Sequence, residues 1–214
     1  MQLSTIISGP LATNTYAVYG AKEDECFLVD PANAKKALAF LTEHNLKLTH
    51  ILLTHGHFDH ILGVAHLKEE TGAQVLINKS DAAALHDDSE NLSTMTSYPV
   101  RSVHADRLLN DGEEFEAAGF KVKTIATPGH TEGGMCYLLE NERVLFSGDT
   151  LFKLSVGRSD LPGGNPQALY DSISNKLFTL DGDYAVYPGH DSATTLDDER
   201  KFNPYMKQFN PETW

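Results

Sequence analysis

Thr54-His55-Gly56-His57-Phe58-Asp59-His60 places three imidazoles and a carboxylate within six positions, directly after the apolar run Ile51-Leu52-Leu53. Histidines two apart on a helix would diverge, because each residue turns the helix by about 100°. At a strand-to-helix corner the same spacing can gather one site. Neutral imidazole nitrogens and a carboxylate oxygen are the donors that zinc and similar divalent metals take. The plainer reading is a polar loop that happens to be rich in histidine; motifs of this density and placement favour the metal.

On either side of the corner, hydrophobic patterning predicts alternating strands and helices. Leu3–Ile7, Thr15–Tyr19 and Cys26–Val29 read as strands, the last ending at Asp30-Pro31. Asn33 is placed to cap a helix whose Ala34, Ala37, Leu38 and Leu41 share a face. Ile51–Leu53 is too short for a helix and reads as a strand buried between layers. Beyond the corner, Ile61 to Glu70 reads as one helix, Gln74–Ile77 as a strand, and Ser80 as the cap of a brief Ala-rich helix. Asp87 to His104 is polar and irregular, either a surface insertion or a loop that walls a pocket. Hairpins are expected at Phe115–Ala117/Phe120–Ile125 and at Met135–Leu139/Arg143–Phe146. A helix opened by Asn165-Pro166, a strand at Tyr184–Tyr187 and a short helix at Leu196–Lys201 capped by Thr195 complete the pattern. No linker interrupts it, so a single α/β domain spanning residues 1–214 is expected.

Composition narrows the function. The net charge of -13 disfavours nucleic acid, whose phosphates call for a basic patch. No apolar run approaches the ~20 residues of a membrane span. Met1 to Pro10 lacks a basic segment followed by a long apolar stretch, so no secretory signal is expected and a cytoplasmic location is the default. The only cysteines, Cys26 and Cys136, lie in apolar stretches without CxxC spacing and read as buried thiols.

Three later corners repeat the logic of the first. Thr127-Pro128-Gly129-His130, Ser147-Gly148-Asp149 and Tyr187-Pro188-Gly189-His190 each follow a predicted strand and set a metal donor beside glycine. One alone would be an ordinary turn. Together with the opening cluster they bring donors to strand ends, where α/β folds gather their sites. Seven donors exceed one four-coordinate zinc; three per metal with a shared carboxylate would leave each an open position. Water between two such ions loses a proton near neutral pH, and the hydroxide is a nucleophile that needs no serine or cysteine. Asp30 could hydrogen-bond a ligand imidazole from behind or cap a strand-to-helix loop. His44, His50, His66, His86 and His104 have no partners in the pattern and read as surface or structural.

Taken in order, His55-Gly56-His57-Phe58-Asp59-His60, His130, Asp149 and His190 resemble the metal motifs of the metallo-β-lactamase-fold hydrolases. Within that superfamily the chain is most similar to the glyoxalase II (hydroxyacylglutathione hydrolase) branch, in its compact bacterial form. The resemblance implies an αβ/βα sandwich of two mixed β-sheets flanked by helices. It also implies a division of ligands: His55, His57 and His130 on one metal, Asp59, His60 and His190 on the other, Asp149 bridging, with Asp59 also counted as catalytic. The expected cofactors are two divalent ions, zinc foremost, with iron or manganese as alternatives.

Such enzymes hydrolyse S-D-lactoylglutathione, so the expected partner is a small-molecule thioester, possibly glutathione-linked, met by a monomer or small homo-oligomer. Arg158, in Gly157-Arg158-Ser159-Asp160, lies near a glutathione-binding position of longer members and could pair a substrate carboxylate or close a surface ion pair. Two departures stand against that substrate: little chain follows His190 to form an extra helical domain, and Ser192 replaces a tyrosine usual in the branch. An iron-dependent persulfide dioxygenase using His55, His130 and Asp149, a lactonase, and a non-catalytic binding module are the rival readings.

Overall fold

Two six-stranded sheets form the frame of the computed structural model, which describes residues 1–209. The first contains β1 (Gln2–Ser8), β2 (Thr13–Tyr19), β3 (Glu25–Val29), β4 (Lys47–Leu52), β5 (Gln74–Asn78) and β6 (Arg107–Leu109), adjacent in chain order. β1 to β3 pair antiparallel and β3 to β6 parallel. A parallel step needs a crossover. Helix α1 (Ala34–Glu43) supplies the first, and α2 (Phe58–Ile61) with α3 (Val64–Thr71) the second. The other sheet begins with an antiparallel run of β7 (Glu114–Ala117), β8 (Phe120–Ala126), β9 (Met135–Leu139) and β10 (Val144–Gly148). A small hairpin of β11 (Leu151–Phe152) and β12 (Ser155–Val156) precedes α4 (Pro166–Ser172), after which β13 (Ala185–Pro188) pairs parallel with β10 and β14 (Thr194–Thr195) forms the edge. Helices α5 (Leu196–Phe202) and α6 (Pro204–Phe209) follow.

Side-chain alternation explains why the sheets face each other. Val18, Phe27, Val29 and Leu52 of the first meet Val122, Tyr137, Leu139 and Phe146 of the second in one buried cluster. Their alternate neighbours Leu28, Ile51 and Ile77 point the other way, onto Leu41 of α1 and Leu67 of α3. Leu138 and Leu145 likewise pack on Leu169, Ile173 and Leu177. Burying each such side chain contributes ~1.5–3 kcal/mol, and a sheet covered on both faces buries every residue of β9 and β10. Cys26 and Cys136 are buried free thiols, pushed up to about 12 and about 11 by burial. This is the expected architecture, two mixed sheets flanked by helices. No described helix is long and apolar enough to cross a membrane.

Local expectations differ from the structure in a few places. The helix expected over Ile61 to Glu70 is two pieces: Gly63 N donates out of the helix to the Pro31 carbonyl at 2.9 Å, and a Cβ on Gly63 would overlap Pro31 O and Ala34 N. The Ala-rich turn after β5 is a 3-10 helix, Lys79–Leu85, and its cap is Asn78, whose Oδ1 accepts from Ser80 N, rather than Ser80. The stripe Leu169, Ile173, Leu177 is buried as expected, but α4 widens into a π turn over Ile173–Leu177. Strands β6, β11, β12 and β14 and helix α6 carry too few residues for periodicity to reveal. Asn33 and Thr195 cap α1 and α5 as expected, accepting from Lys36 N and Asp198 N.

Candidate metal centre

β3, β4, β8, β10 and β13 end at one edge of the sandwich, and the polar groups that follow them meet there. After β4, the extended segment Thr54 to His57 turns into α2 with His57 at its N-cap, so His55 and His57 lie on the extended part and Asp59 and His60 on the helical part. This is the corner that the spacing required. His130 follows β8, Asp149 follows β10, and His190 follows β13. At the last corner, a Cβ on Gly189 would overlap the Asp149 carboxylate and the His60 ring, so only glycine lets this backbone come so close.

The donors form two groups. Those of His55, His57 and His130 lie within 4.8 Å of one another, as do those of Asp59, His60 and His190. In the first, His57 Nδ1 is 2.9 Å from His130 Nε2. In the second, His60 Nε2 is 3.2 Å from His190 Nε2 and 3.4 Å from Asp59 Oδ2, and the latter is 3.2 Å from His190 Nε2. Asp149 stands between them: Oδ2 is 3.6 Å from His130 Nε2 and 3.5 Å from His190 Nε2, and Oδ1 is 3.5 Å from His60 Nε2. Ligands around a tetrahedral zinc, each ~2.0–2.1 Å from it, stand ~3.3 Å apart. The spacing therefore suits such ions. His55 Nε2 and Asp149 Oδ1 are buried without a hydrogen-bond partner, and a buried polar atom left unpaired is costly. Both atoms aim into the donor groups, where a cation would satisfy them.

Behind the donors, the far sides of His55, His60, His130 and His190 are held. His130 Nδ1 donates to the Arg158 carbonyl at 2.7 Å, and His190 Nδ1 to the Leu11 carbonyl at 3.2 Å. His60 Nδ1 donates to Asp30 Oδ2 at 2.9 Å. The same oxygen accepts from Thr54 Oγ1 at 2.6 Å, and Asp30 Oδ1 accepts from Thr54 N at 2.8 Å. Because the Thr54 hydroxyl proton is used on Asp30, its oxygen accepts from His55 Nδ1 at 3.1 Å. Each hydrogen bond occupies Nδ1 and turns Nε2 to the front. Asp30, His55 and His60 are close enough to resemble a third metal group, but the Asp30 carboxylate is already engaged by Thr54 and His60. It caps no helix; Asn33 does that for α1. Its backbone is left-handed, φ +50°, a conformation that non-glycine residues adopt at a cost and that recurs at functional sites.

Electrostatics separates the groups. Burial, with the neighbouring imidazoles, pushes His55 well below the usual histidine range and His57 down to about 3. His60 goes the other way: burial opposes its charge, but Asp59, Asp149 and Asp30 outweigh burial and raise it to about 10. His190 is also raised, with burial again opposing and Asp59 and Asp149 prevailing. Asp59 is held low, against burial, by His60, His190 and the Thr13 hydroxyl, which donates to its Oδ2 at 3.0 Å. The carboxylates thus demand positive charge at His60 Nε2, which a proton or a metal cation can meet, a metal displacing the proton.

Several supporting residues carry no recognisable spacing. Thr13 holds Asp59 from β2. Asn14 Nδ2 donates to the carbonyls of Pro188 and Asp191 at 3.1 and 2.9 Å and Tyr16 Oη to Pro188 O at 2.6 Å, securing the His190 corner. Asp81 accepts from both loops that carry the first group; its only trace in sequence is an acid in an otherwise Ala-rich turn. The Arg158 guanidinium makes a bidentate pair with Asp160, at 2.8 and 2.9 Å, and is exposed. Among the remaining histidines, His44 stacks on Phe40, His50 meets Thr49, and the rings of His86 and His104 meet edge to face with centroids 4.9 Å apart. Beside His57 lies a cleft of about 520 Å3, lined by Ser80, Ser89, Glu90, Thr131, Glu132 and Pro162 among others. The irregular 87–104 segment supplies one wall of it through Ser89 and Glu90. Its Asn91 carbonyl accepts from Phe58 N, and Tyr98 stacks on the Phe58 ring, which ties the segment to α2.

Several known proteins are similar to this chain. The family model described as "Metallo-beta-lactamase superfamily" matches residues 8–190. A protein of Aquifex aeolicus (strain VF5) is 38% identical over 208 residues, 96% of this chain and 97% of its own length. The "Probable metallo-hydrolase YqgX" of Bacillus subtilis (strain 168) is 34% identical over 94% of this chain and 96% of its own. The "Hydroxyacylglutathione hydrolase GloC" of Haemophilus influenzae is 32% identical over 86% and 88%. Among solved structures, BLEG-1 B3 metallo-beta-lactamase superposes with a TM-score of 0.91 at 34% identity, covering 96% of this chain and 99% of that one. TTHA1623 in a di-iron-bound form gives 0.83 at 34% identity, with 94% and 99% covered. ETHE1 from Myxococcus xanthus gives 0.80 at 28% identity, with 100% and 92% covered.

Proposed function

Because the chain belongs to the metallo-beta-lactamase superfamily and is a metallo-hydrolase of it, we propose that it cleaves a thioester, S-D-lactoylglutathione or a related glutathione thioester, in the manner of glyoxalase II. The observation that carries the two-metal part is the pair of three-donor groups flanking Asp149, with His55 Nε2 and Asp149 Oδ1 buried and unpaired between them. His55, His57 and His130 would hold one divalent ion, Asp59, His60 and His190 the other, and Asp149 would reach both. Bound there, such ions supply Lewis acidity, polarising the scissile carbonyl and lowering the pKa of water.

The chain's own groups do the rest. The hydrogen bonds behind His55, His60, His130 and His190 hold each ring so that Nε2 faces forward. Asp30 serves in this way behind His60. Asp59 stays ionised, braced by Thr13, and is the carboxylate best placed to orient the attacking water. The cleft beside His57 lies within the ~300–1,000 Å3 range of small-molecule sites. Glu90 and Glu132 line it and have no ion-pair partner among the described residues, which suits the ammonium end of a peptide-like thiol and disfavours a polyanion. Arg158 is an exposed cation close enough to His57 to lower it. Its pair with Asp160 is exposed and screened by solvent, so a substrate carboxylate can take Asp160's place at little cost.

The deciding experiment is metal analysis of the purified protein paired with assay of S-D-lactoylglutathione hydrolysis. Two ions per chain with thioester turnover is the expected result. A single iron with oxygen uptake on glutathione persulfide would replace it with the dioxygenase. Turnover of esters or β-lactams without thioester cleavage would keep the hydrolase and change its substrate. Arg158→Ala should raise KM for the glutathione thioester ~10-fold while leaving a neutral ester unaffected; equal effects on both would remove Arg158 from substrate binding.

A further inference from the structure

Asp81 is a buried carboxylate with three hydrogen-bond donors around it and no lysine or arginine paired to it among the described residues. It sits in the 3-10 turn after β5, beside the buried Ala84 and Leu85. Its Oδ2 accepts from Gly56 N at 3.0 Å and from Thr131 Oγ1 at 2.8 Å, and its Oδ1 accepts from Gly133 N at 2.6 Å. Gly56 lies between His55 and His57, and Thr131 follows His130. One carboxylate therefore ties the loop bearing two imidazoles of the first group to the loop bearing the third. Nothing that it accepts from lies next to Asp59, His60 or His190 in the chain.

Space around the carboxylate is tight. A Cβ on Gly56 would overlap Ala84, and one on Gly133 would overlap Asp81 itself. Both loops are thus pressed against the turn. Burying a carboxylate costs free energy, which its donors here do not fully offset, since burial leaves Asp81 raised despite Thr131, Gly56 and Gly133. A side chain serving stability alone would be better replaced by an apolar one. Its geometry does something an apolar residue could not: it fixes two loops whose donors, His57 Nδ1 and His130 Nε2, come from positions far apart in the chain. A displacement of ~1 Å would take a donor out of the ~2.0–2.1 Å range of a zinc–nitrogen bond.

Building on the two-metal reading above, we propose that Asp81 is the positioning residue of the first metal group alone. It sets the separation of the His55–His57 loop from His130, and hence the metal affinity of that group, while the Asp59/His60/His190 group is positioned without it.

Zinc titration against a chelating indicator, in two backgrounds, tests this. His190→Ala leaves only the first group complete, and His57→Ala only the second. Adding Asp81→Asn should weaken zinc binding ~10–100-fold in the His190→Ala background. In the His57→Ala background the change should be under about threefold, within the ordinary scatter of distant sites. Thr131→Val, which removes one of the three donors, should act in the same direction and more weakly, and it carries the test if Asp81→Asn does not fold. Equal weakening in both backgrounds would overturn the proposal. So would a lower melting temperature of the metal-free protein with both zinc affinities unchanged, which would assign Asp81 to folding. A wild-type chain that holds fewer than two zinc ions would instead refute the two-metal reading, an outcome visible before any Asp81 variant is made.

Discussion

The two donor groups are built from opposite materials. His55, His57 and His130 are three imidazoles without a carboxylate of their own, and burial keeps His55 and His57 neutral. Asp59, His60 and His190 form an anion-rich group in which carboxylates raise both imidazoles. Their supports differ as well. The first is tied together by Asp81 and the Arg158 carbonyl, the second by Thr13 and the Leu11 carbonyl, while Asp30 stands behind His60 directly and behind His55 through Thr54. The difference teaches that two donor groups a few ångströms apart need not be built alike: His55 and His57 are held neutral and open to a metal, while His60 must first give up a proton.

The largest effect is expected where the groups meet. Asp149→Ala removes the one carboxylate that both share, so neither ion should be retained and turnover should fall ~1,000-fold or more; metal content and activity near wild type would break the comparison at its root. Next comes Asp30→Asn, which weakens the acceptor behind His60. Zinc affinity of the second group, read in the His57→Ala background, should drop ~10–100-fold. An unchanged affinity would remove Asp30 from its supporting role.

The third prediction concerns pH. A histidine raised to about 10 holds its proton below that pH, so protons compete with metal at His60 throughout the neutral range, whereas His57, at about 3, is already free. Zinc affinity of the second group should therefore rise at least ~10-fold per pH unit through neutrality, with at least one proton released per ion bound there, and more steeply than that of the first. Parallel pH profiles, measured by titration in the two backgrounds, would erase the distinction. The smallest effect belongs to Thr13→Val, which removes a single hydrogen bond to Asp59. It should cost ~1–2 kcal/mol of stability in chemical denaturation and a few-fold in turnover, with the first group's zinc affinity untouched.

Much of the site could be read before any contact was known. Each donor follows an apolar strand and adjoins glycine, proline or a helix start, and that arrangement is local, so it is written in consecutive residues. The supporting groups were not legible for the same reason. Asp81 reaches Gly56 and Gly133, Thr13 reaches Asp59, and Asn14 reaches Pro188 across the whole length of the fold. No spacing links these pairs. Asp30 was an open choice between a helix cap and a partner for a ligand imidazole. The contact with His60, beside an α1 already capped by Asn33, is a property of how β3 and β4 lie side by side. Gly63 misled as a helix-interior residue because its close neighbour, Pro31, is distant in the chain.

By itself, then, the sequence determined the order of the longer strands and helices and the seven candidate metal donors, which follow from periodicity and short-range turn chemistry, while its resemblance to a known family implied the two-sheet sandwich. Tertiary structure brought together the two donor groups that the resemblance implied, and it alone decided which oxygen stands behind His55, His60, His130 and His190 and how His57 and His60 come to opposite charge preferences. Those properties depend on distance, burial and field, which arise only when strand ends far apart in the chain are packed against one edge of two facing sheets.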